Sequence, residues 1–349
     1  MVLRLRQLQV IHRHGDRAPL MNIFRGSVNA IDEASESRLW MHYLPTSSQL
    51  VQIRSKYSVN FNGQTHTLSQ QRPYGYLTTR GIEQMTKRGN QLHAICLNED
   101  LRLDKVTSEQ VQVFSNAYTR TQISAQALLL GMLEAEPHIS PQVSVLPPEQ
   151  DIINTYAIYP EIMRIKVDLE RDNADFVAHE HEMIPIKKEL SRLIPAFDSG
   201  QIPFSWLTAA DYFVCRRAHQ VPYIPGTKFY SNKKFLKLVA GRLMHNVLLE
   251  MQRARLDCQN HKKMVIYSGH DVSLLSVLRT MDADLANDIS FWPEYSSALA
   301  LGLLEDENGN FFVRAQLNDK ALAMGNAPDG ILSADRFCEL VISNVEDHA

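Results

Sequence analysis

Three short apolar segments, each followed by a polar loop and a helical pattern, constrain the fold of this chain most strongly. Residues 5–11, 111–113 and 264–269 are each rich in apolar side chains and are short enough to be buried strands. The helical patterns that follow these strands cover 78–97, 119–133 and the residues after Val272. This alternation predicts an α/β fold with a mostly parallel central sheet and helices on both faces.

The C-terminal third adds a long helix and a hairpin. Apolar residues recur at helical spacing over 232–256. Residues 299–304 and 311–317 flank Asn308-Gly309, a strong turn signal, and so predict two antiparallel strands at one edge of the sheet. A last helix begins near Ser333, which is a suitable N-cap residue.

Two stretches interrupt this alternation and carry weaker periodicity. Residues 21–76 have an irregular, partly polar pattern with short helical stretches, and residues 145–225 are rich in charges and aromatic side chains. We expect both to be insertions that form a smaller, mainly helical cap over the active site. The α/β core then consists of residues 1–20, 77–144 and 226–349.

Composition and charge exclude several classes of protein. The net charge of −3 gives no overall attraction for nucleic acid, and no apolar run reaches the roughly 20 residues of a membrane span. The N-terminus shows no secretory signal, but a signal could have been removed; secreted, lysosomal, periplasmic and cytoplasmic locations therefore stay open. The widely spaced cysteines argue against a zinc finger and leave free thiols and two disulfides open. These cysteines are Cys96, Cys215, Cys258 and Cys338.

Chemistry-bearing residues follow each of the three predicted strands. The first strand leads into Arg13-His14-Gly15-Asp16-Arg17, the second into a loop that ends at Arg120, and the third into His270-Asp271. Ligands of open parallel sheets bind at the carboxyl ends of the strands. We therefore expect these side chains to converge in one crevice.

Three arginines around a histidine suit the transfer of a phosphoryl group. Guanidinium groups match phosphate oxygens and stabilise the charge that develops on them. A neutral imidazole can attack phosphorus, and the nearby positive charges are expected to lower the pKa of His14 and keep it neutral in acid. Asp271 is placed to protonate the leaving oxygen, and it would be protonated mainly in acid.

These residues resemble those of the histidine acid phosphatase family, branch 2 of the histidine phosphatase superfamily. The hallmarks of that family are Arg-His-Gly-x-Arg-x-Pro, present here at 13–19, and a later His-Asp, present at 270–271. Further stretches that look like the family are Leu77-Thr78-x-x-Gly81 with Gln84 and Gly89, residues 115–125, and Pro328-Asp329-Gly330. Within the family, the spacing looks most like the prostatic, lysosomal and lysophosphatidic acid phosphatase group.

The resemblance implies a role for each of six residues. It implies His14 as the nucleophile that becomes phosphohistidine and Asp271 as the proton donor. It also implies phosphate binding by Arg13, Arg17, Arg120 and His270. No metal and no cofactor are implied. The expected partner is a small phosphate monoester, not nucleic acid, and both a monomer and a homodimer stay open.

Other interpretations compete with this one. A phytase-like inositol polyphosphate phosphatase and a catalytically inactive phosphate-binding protein are the alternative functions. His179-Glu180-His181-Glu182 invites a metal site, but a solvated helical face is the better interpretation. Asp16 and His12 are expected to be structural. The aromatic residues of the second insertion either line the substrate pocket or form the core of the insertion, and we favour the core. These aromatic residues are Phe204, Trp206, Tyr212, Tyr223 and Tyr230.

Overall fold

A computed structural model describes residues 3–62, 71–99, 101–172, 174–218, 233–256, 260–287 and 291–345. The strands in these ranges are β1 Arg4–Arg13, β2 Val59–Phe61, β3 Val111–Ser115, β4 Val143–Val145, β5 Met264–Gly269, β6 Ala298–Glu305, β7 Phe311–Leu317, β8 Lys320–Ala321 and β9 Ile331–Ser333. The α-helices are α1 Ala30–Tyr43, α2 Ser47–Lys56, α3 Thr79–Asn98, α4 Thr119–Met132, α5 Glu161–Asp172, α6 Ala174–Glu182, α7 Ile184–Leu193, α8 Pro195–Asp198, α9 Trp206–Ala218, α10 Lys233–Leu256, α11 Asp271–Thr280 and α12 Ala334–Val345.

All described strands belong to one mixed sheet. Its order is β2-β4-β3-β5-β1-β6-β7-β8, and β9 also pairs with β7. The strands from β2 to β1 run parallel, whereas β6, β7, β8 and β9 form antiparallel pairs at the other side. The predicted fold class is confirmed, including the antiparallel hairpin at the C-terminal side.

Both faces of the sheet are buried under helices. Residues alternate across each central strand, so that Ile266 faces one apolar cluster and its neighbours Val265 and Tyr267 face the other. The helices α10, α11 and α12 cover the face of Val265, and α3 and α4 cover the face of Ile266. This two-sided burial explains why β5 begins with four consecutive apolar residues, Met264 to Tyr267.

The second insertion forms a helical layer with its own small core. Ile194, Ala196 and Tyr212 from this region pack together with Ile23 of the first insertion. The ring of Phe204 lies 5.0 Å from Phe197 and 4.8 Å from Trp206. These aromatic side chains thus pack within the insertion, as expected. Tyr223 and Tyr230 lie outside the described residues.

The first insertion is more ordered than its sequence indicates, and part of it belongs to the sheet. Helix α2, which begins with a capping box at Thr46, packs against α4, and β2 pairs with β4 at the sheet edge. Tyr57 is fully buried in the core beneath, where its hydroxyl donates to the carbonyl of Leu129 over 3.2 Å. Residues 47–61 therefore lie against the core and not in the cap, because long-range contacts that local periodicity does not show hold them there.

No helix in the described ranges is both long and apolar enough to cross a bilayer.

Candidate active site

The parallel pairing of three strands brings the chemistry-bearing loops to one edge of the sheet. Arg13 is opposite Gly269 across β1 and β5, and Ser115 is opposite Ser268 across β3 and β5. The strands therefore end level with one another. The amide of His14 donates to the carbonyl of Gly269 over 3.0 Å, which joins the first loop to the third.

The start of α3 holds the loop that follows β1. The carboxylate of Asp16 accepts from the hydroxyl of Thr78 over 2.5 Å, and the amide of Asp16 donates to Gln84 over 2.9 Å. A side chain at Gly15 or at Gly81 would collide with backbone of the other segment, so both positions need glycine. The loop that follows β1 therefore packs against the Leu-Thr-x-x-Gly segment and Gln84.

His14 is held as a neutral imidazole with one nitrogen open. Its Nδ1 lies 2.8 Å from the carbonyl oxygen of Gly15, and a carbonyl can only accept, so Nδ1 carries the proton. Burial lowers the pKa of His14 well below 6.5, and the charges of Arg120, Arg17 and Arg13 lower it further. Nε2 then has a lone pair and no partner among the described residues, as a nucleophile requires.

Arg13 is fixed from three sides. Its guanidinium donates to the carbonyl of Pro293 over 2.6 Å and lies 4.1 Å from the centre of the Tyr295 ring. It also forms an ion pair of 2.8 Å with Asp271. These contacts leave little freedom to a side chain that is only 4% exposed.

Arg17 is anchored by the cap. Its guanidinium pairs with Asp211 of α9 over 2.5 Å, and the other oxygen of Asp211 accepts from the amide of Leu20 over 2.7 Å. Cys215, one turn further along α9, lies 3.6 Å from the same guanidinium. Helix α9 therefore connects the cap directly to a predicted phosphate ligand.

Arg120 occupies the first turn of α4. Its guanidinium stacks on the ring of Tyr118 at 4.2 Å, and that ring forms a T-shaped pair with the ring of His270. Burial lowers the pKa of Arg120 to about 10, and the neighbouring charge of Arg17 lowers it as well. The group is still a cation near neutral pH.

His270 and Asp271 stand at the start of α11. Burial lowers the pKa of His270, and the charge of Arg120 lowers it further. Burial alone would raise the pKa of Asp271, but the charge of Arg13 and the hydrogen bond from the amide of Val272 oppose it, so this pKa lies below the usual range. The carboxylate of Asp271 also accepts from the indole N–H of Trp292 over 3.2 Å.

The structure thus brings all six predicted site residues to one edge of the sheet and adds others. Asp211, Tyr295 and Trp292 were missed because no strand or motif marks them in the sequence. Asn116 was within reach, since it follows β3 directly, and its amide lies 2.6 Å from His270.

The residues that were predicted to have no catalytic or metal-binding role lie in the protein interior or on an exposed helix face. His12 is buried, with its Nδ1 3.1 Å from the carbonyl oxygen of Arg13. His179 is on an exposed face of α6, 3.7 Å from Glu182. Within the described ranges, no three His, Cys, Asp or Glu side chains are grouped to hold a metal ion. Cys96 and Cys215 are buried free thiols, and Cys258 lies outside the described residues.

Comparison with known proteins agrees with this geometry. The family model of the histidine phosphatase superfamily (branch 2) matches residues 4–157. Over these residues, which include His14 and Arg120, the chain is similar to branch 2 of the histidine phosphatase superfamily. The resemblance found in the sequence is confirmed, and the similarity supports phosphomonoesterase activity on a small phosphate ester.

The similarity to known proteins extends over nearly the whole chain. Lysophosphatidic acid phosphatase type 6 of Bos taurus is 22% identical over 97% of this chain and 83% of that protein. Counting factor 60 of Dictyostelium discoideum is 23% identical over 98% of this chain and 86% of that protein. The multiple inositol polyphosphate phosphatase of Bifidobacterium longum, solved with inositol hexasulfate, superimposes with a TM-score of 0.59 at 9% identity, covering 100% of this chain and 94% of that structure. The last of these shows a shared fold.

Proposed function

We propose that this protein is a histidine phosphatase that hydrolyses phosphate monoesters through a covalent phosphohistidine on His14. Nε2 of His14 forms a bond to phosphorus while the ester P–O bond breaks, and the carboxylic acid of Asp271 gives its proton to the leaving alkoxide. Asp271 then takes a proton from a water molecule that attacks phosphorus. The P–N bond breaks, inorganic phosphate leaves, and His14 is again neutral.

The state of His14 carries this proposal. A buried imidazole whose Nδ1 donates to Gly15 and whose Nε2 is open, among three guanidinium groups, has the arrangement of a nucleophile toward a dianion. Arg13, Arg17, Arg120 and His270 would hold the phosphate oxygens. Phosphoryl transfer depends chiefly on such positioning and charge stabilisation.

Substrate binding would also prepare the acid. Arg13 is the main attractive charge on Asp271, 2.8 Å away. A phosphate dianion that engages Arg13 weakens this pair and brings its own negative charge near Asp271. Both changes raise the pKa of Asp271 from its low starting value. We therefore expect activity in acid, where the carboxyl group can be protonated in the complex.

We test this mechanism with para-nitrophenyl phosphate across pH 4 to 8 in the presence of EDTA. The expected result is an active parent that EDTA does not inhibit, an inactive His14→Ala variant, and an Asp271→Ala variant that fails most on poor leaving groups. Activity that survives in His14→Ala would exclude the phosphohistidine. A parent that binds vanadate but hydrolyses nothing would instead support the inactive phosphate-binding protein.

We further propose that the preferred ester has an apolar alcohol part, with lysophosphatidic acid as the leading candidate. The leaving oxygen must be within reach of Asp271, so the alcohol lies beside the residues around that carboxylate. Trp292, which contacts Asp271, is 41% exposed, and Tyr156 is close enough for the charge of Asp271, after burial, to raise its pKa. Val272 and Phe291 belong to the apolar cluster next to them. The bovine relative named for this substrate supports the same choice.

Two substrates that share the glycerol phosphate group test this preference. Lysophosphatidic acid carries an acyl chain that glycerol 3-phosphate lacks, and each buried CH₂ contributes about 0.8 kcal/mol. We expect kcat/KM to be at least about tenfold higher for lysophosphatidic acid, and Trp292→Ala to reduce that ratio. Equal rates would refute the apolar preference. Faster release of several phosphates from inositol hexakisphosphate would favour the phytase-like alternative.

A further inference from the structure

Asn116 follows β3 directly and has no role in the mechanism above. It is 1% exposed, and its side-chain amide nitrogen lies 2.6 Å from Nε2 of His270. Its backbone is held as well, because its carbonyl accepts from the hydroxyl of Ser115 over 3.2 Å and from Gln122 over 3.3 Å. A buried amide fixed in this way has one available orientation, and that orientation decides what it offers to His270.

The orientation of the amide follows from an obligate donor. The backbone N–H of Tyr118 points at the other end of the Asn116 side chain, at 3.2 Å. A backbone N–H can only donate, so the atom facing it must be the amide oxygen. The hydroxyl of Thr121 donates to the same oxygen over 2.5 Å. The NH₂ group therefore faces His270.

The protonation state of His270 follows in turn. An NH₂ group can only donate, so Nε2 of His270 must accept and cannot carry a proton. A neutral imidazole then has its proton on Nδ1, and an imidazolium would place two N–H groups against each other. The burial of His270 and the charge of Arg120 also favour the neutral form. Nδ1 has no hydrogen-bond partner among the described residues.

We propose that Asn116 is a positioning residue that holds His270 neutral with its proton on Nδ1, so that His270 donates one hydrogen bond to the substrate phosphate without adding a charge. This inference rests on the proposed function, in which His270 binds the phosphoryl group. The missing charge has a consequence for Asp271, because an imidazolium beside it would stabilise the carboxylate and oppose its protonation. Asn116 thus keeps the proton donor available.

The isosteric variant Asn116→Asp tests the proposal. A carboxylate cannot donate, so it draws a proton onto Nε2 and turns His270 into an imidazolium. We expect the alkaline limb of the pH profile of kcat to move about one unit lower, which is about a tenfold loss of kcat above that limb. Inhibition by inorganic phosphate should not weaken. A merely structural role of Asn116 predicts reduced stability with an unchanged pH profile, and that result would overturn the proposal.

Asn344→Asp is the matched control. Asn344 donates to the carbonyl of Thr280 over 3.1 Å, at the opposite end of α11 from Asp271. The exchange adds the same negative charge far from the site. We expect the pH profile of Asn344→Asp to equal that of the parent.

A spectroscopic measurement on the parent decides the tautomer without any variant of Asn116. Nitrogen-15 spectra of histidine-labelled protein, with His270→Gln to assign the signals, should show a protonated Nδ1 and an unprotonated Nε2 for His270. A protonated Nε2 would overturn the role of Asn116 and leave the phosphohistidine mechanism intact. Inorganic phosphate should shift the Nδ1 signal; if it does not, the role of His270 as phosphate ligand fails and this proposal fails with it.

Discussion

Two glycines in helix interiors should respond to alanine with opposite signs. Gly89 of α3 packs against α4, where a Cβ would lie 2.7 Å from the amide nitrogen of Met132 and closer still to the carbonyl oxygen of Leu128. Ordinary contact begins at 3.4 Å, so the Met132 contact alone requires α4 to retreat by 0.7 Å, and the closer carbonyl of Leu128 requires more. Gly241 of α10 has open space, since the nearest atom to its Cβ would be a Lys237 carbon at 3.9 Å.

These geometries set the magnitudes. Overpacking of a close helix pair costs typically 1–3 kcal/mol, which exceeds the roughly 0.5–1 kcal/mol that alanine gains over glycine within a helix. We expect Gly89→Ala to lower the free energy of unfolding by about 2 kcal/mol and Gly241→Ala to raise it by about 0.5 kcal/mol. Because α4 carries Arg120 in its first turn, Gly89→Ala should also reduce kcat/KM roughly tenfold.

The assay is urea unfolding of the three proteins in one buffer, followed by kinetics with para-nitrophenyl phosphate. The pair of variants separates the two contributions, because both remove a helical glycine and only one creates a collision. A Gly89→Ala protein as stable as the parent would refute the close approach of α3 and α4. Equal losses in both variants would show that glycine itself, and not the contact, matters.

The remaining predictions concern His12 and Tyr295. Burial lowers the pKa of His12 from 6.5 to about 4, so between these pH values the unfolded chain binds a proton at His12 and the folded protein does not. The stability that a neutral His12 contributes is present above pH 6.5 and is lost as pH falls toward 4, which amounts to about 3 kcal/mol. We expect His12→Gln to remove this part of the acid destabilisation. Identical pH dependence of urea unfolding in the variant and the parent would contradict this. Tyr295→Leu removes the ring beneath Arg13 and should raise the KM for para-nitrophenyl phosphate several-fold, about 1 kcal/mol. Tyr295→Phe keeps the ring and loses the contact of 3.4 Å between the hydroxyl and Cys215, so near-parental kinetics are expected. Equal effects of both variants would show that the hydroxyl, not the ring, matters.

The acid behaviour of the protein follows from two opposing requirements. Activity needs protonated Asp271, whereas His12 and His14 are stable in the fold only as neutral groups. Substrate or phosphate that binds the folded state offsets part of the loss. This explains how a site built from buried histidines can be used in acid.

Much of the fold could be predicted from local pattern. Short segments rich in apolar residues identify β1 and β5, helical spacing identifies α3 and α10, and Asn308-Gly309 marks the hairpin of β6 and β7. The predicted convergence of loops required only the rule that parallel strands present their carboxyl ends at one edge. Each of these signals lies within a short window of sequence, where period and turn chemistry act directly.

The sequence by itself thus determined the fold class, the nucleophile candidate and the residues that follow the strands. Only the tertiary structure decided that β2 joins the sheet edge, that Asp211 of the cap anchors Arg17, and that Asn116 fixes the proton of His270. Arg17 and Asp211 are separated by 194 positions, and no local period relates them. Such contacts depend on how completed elements pack, because a hydrogen bond or an ion pair requires only that two side chains meet in space.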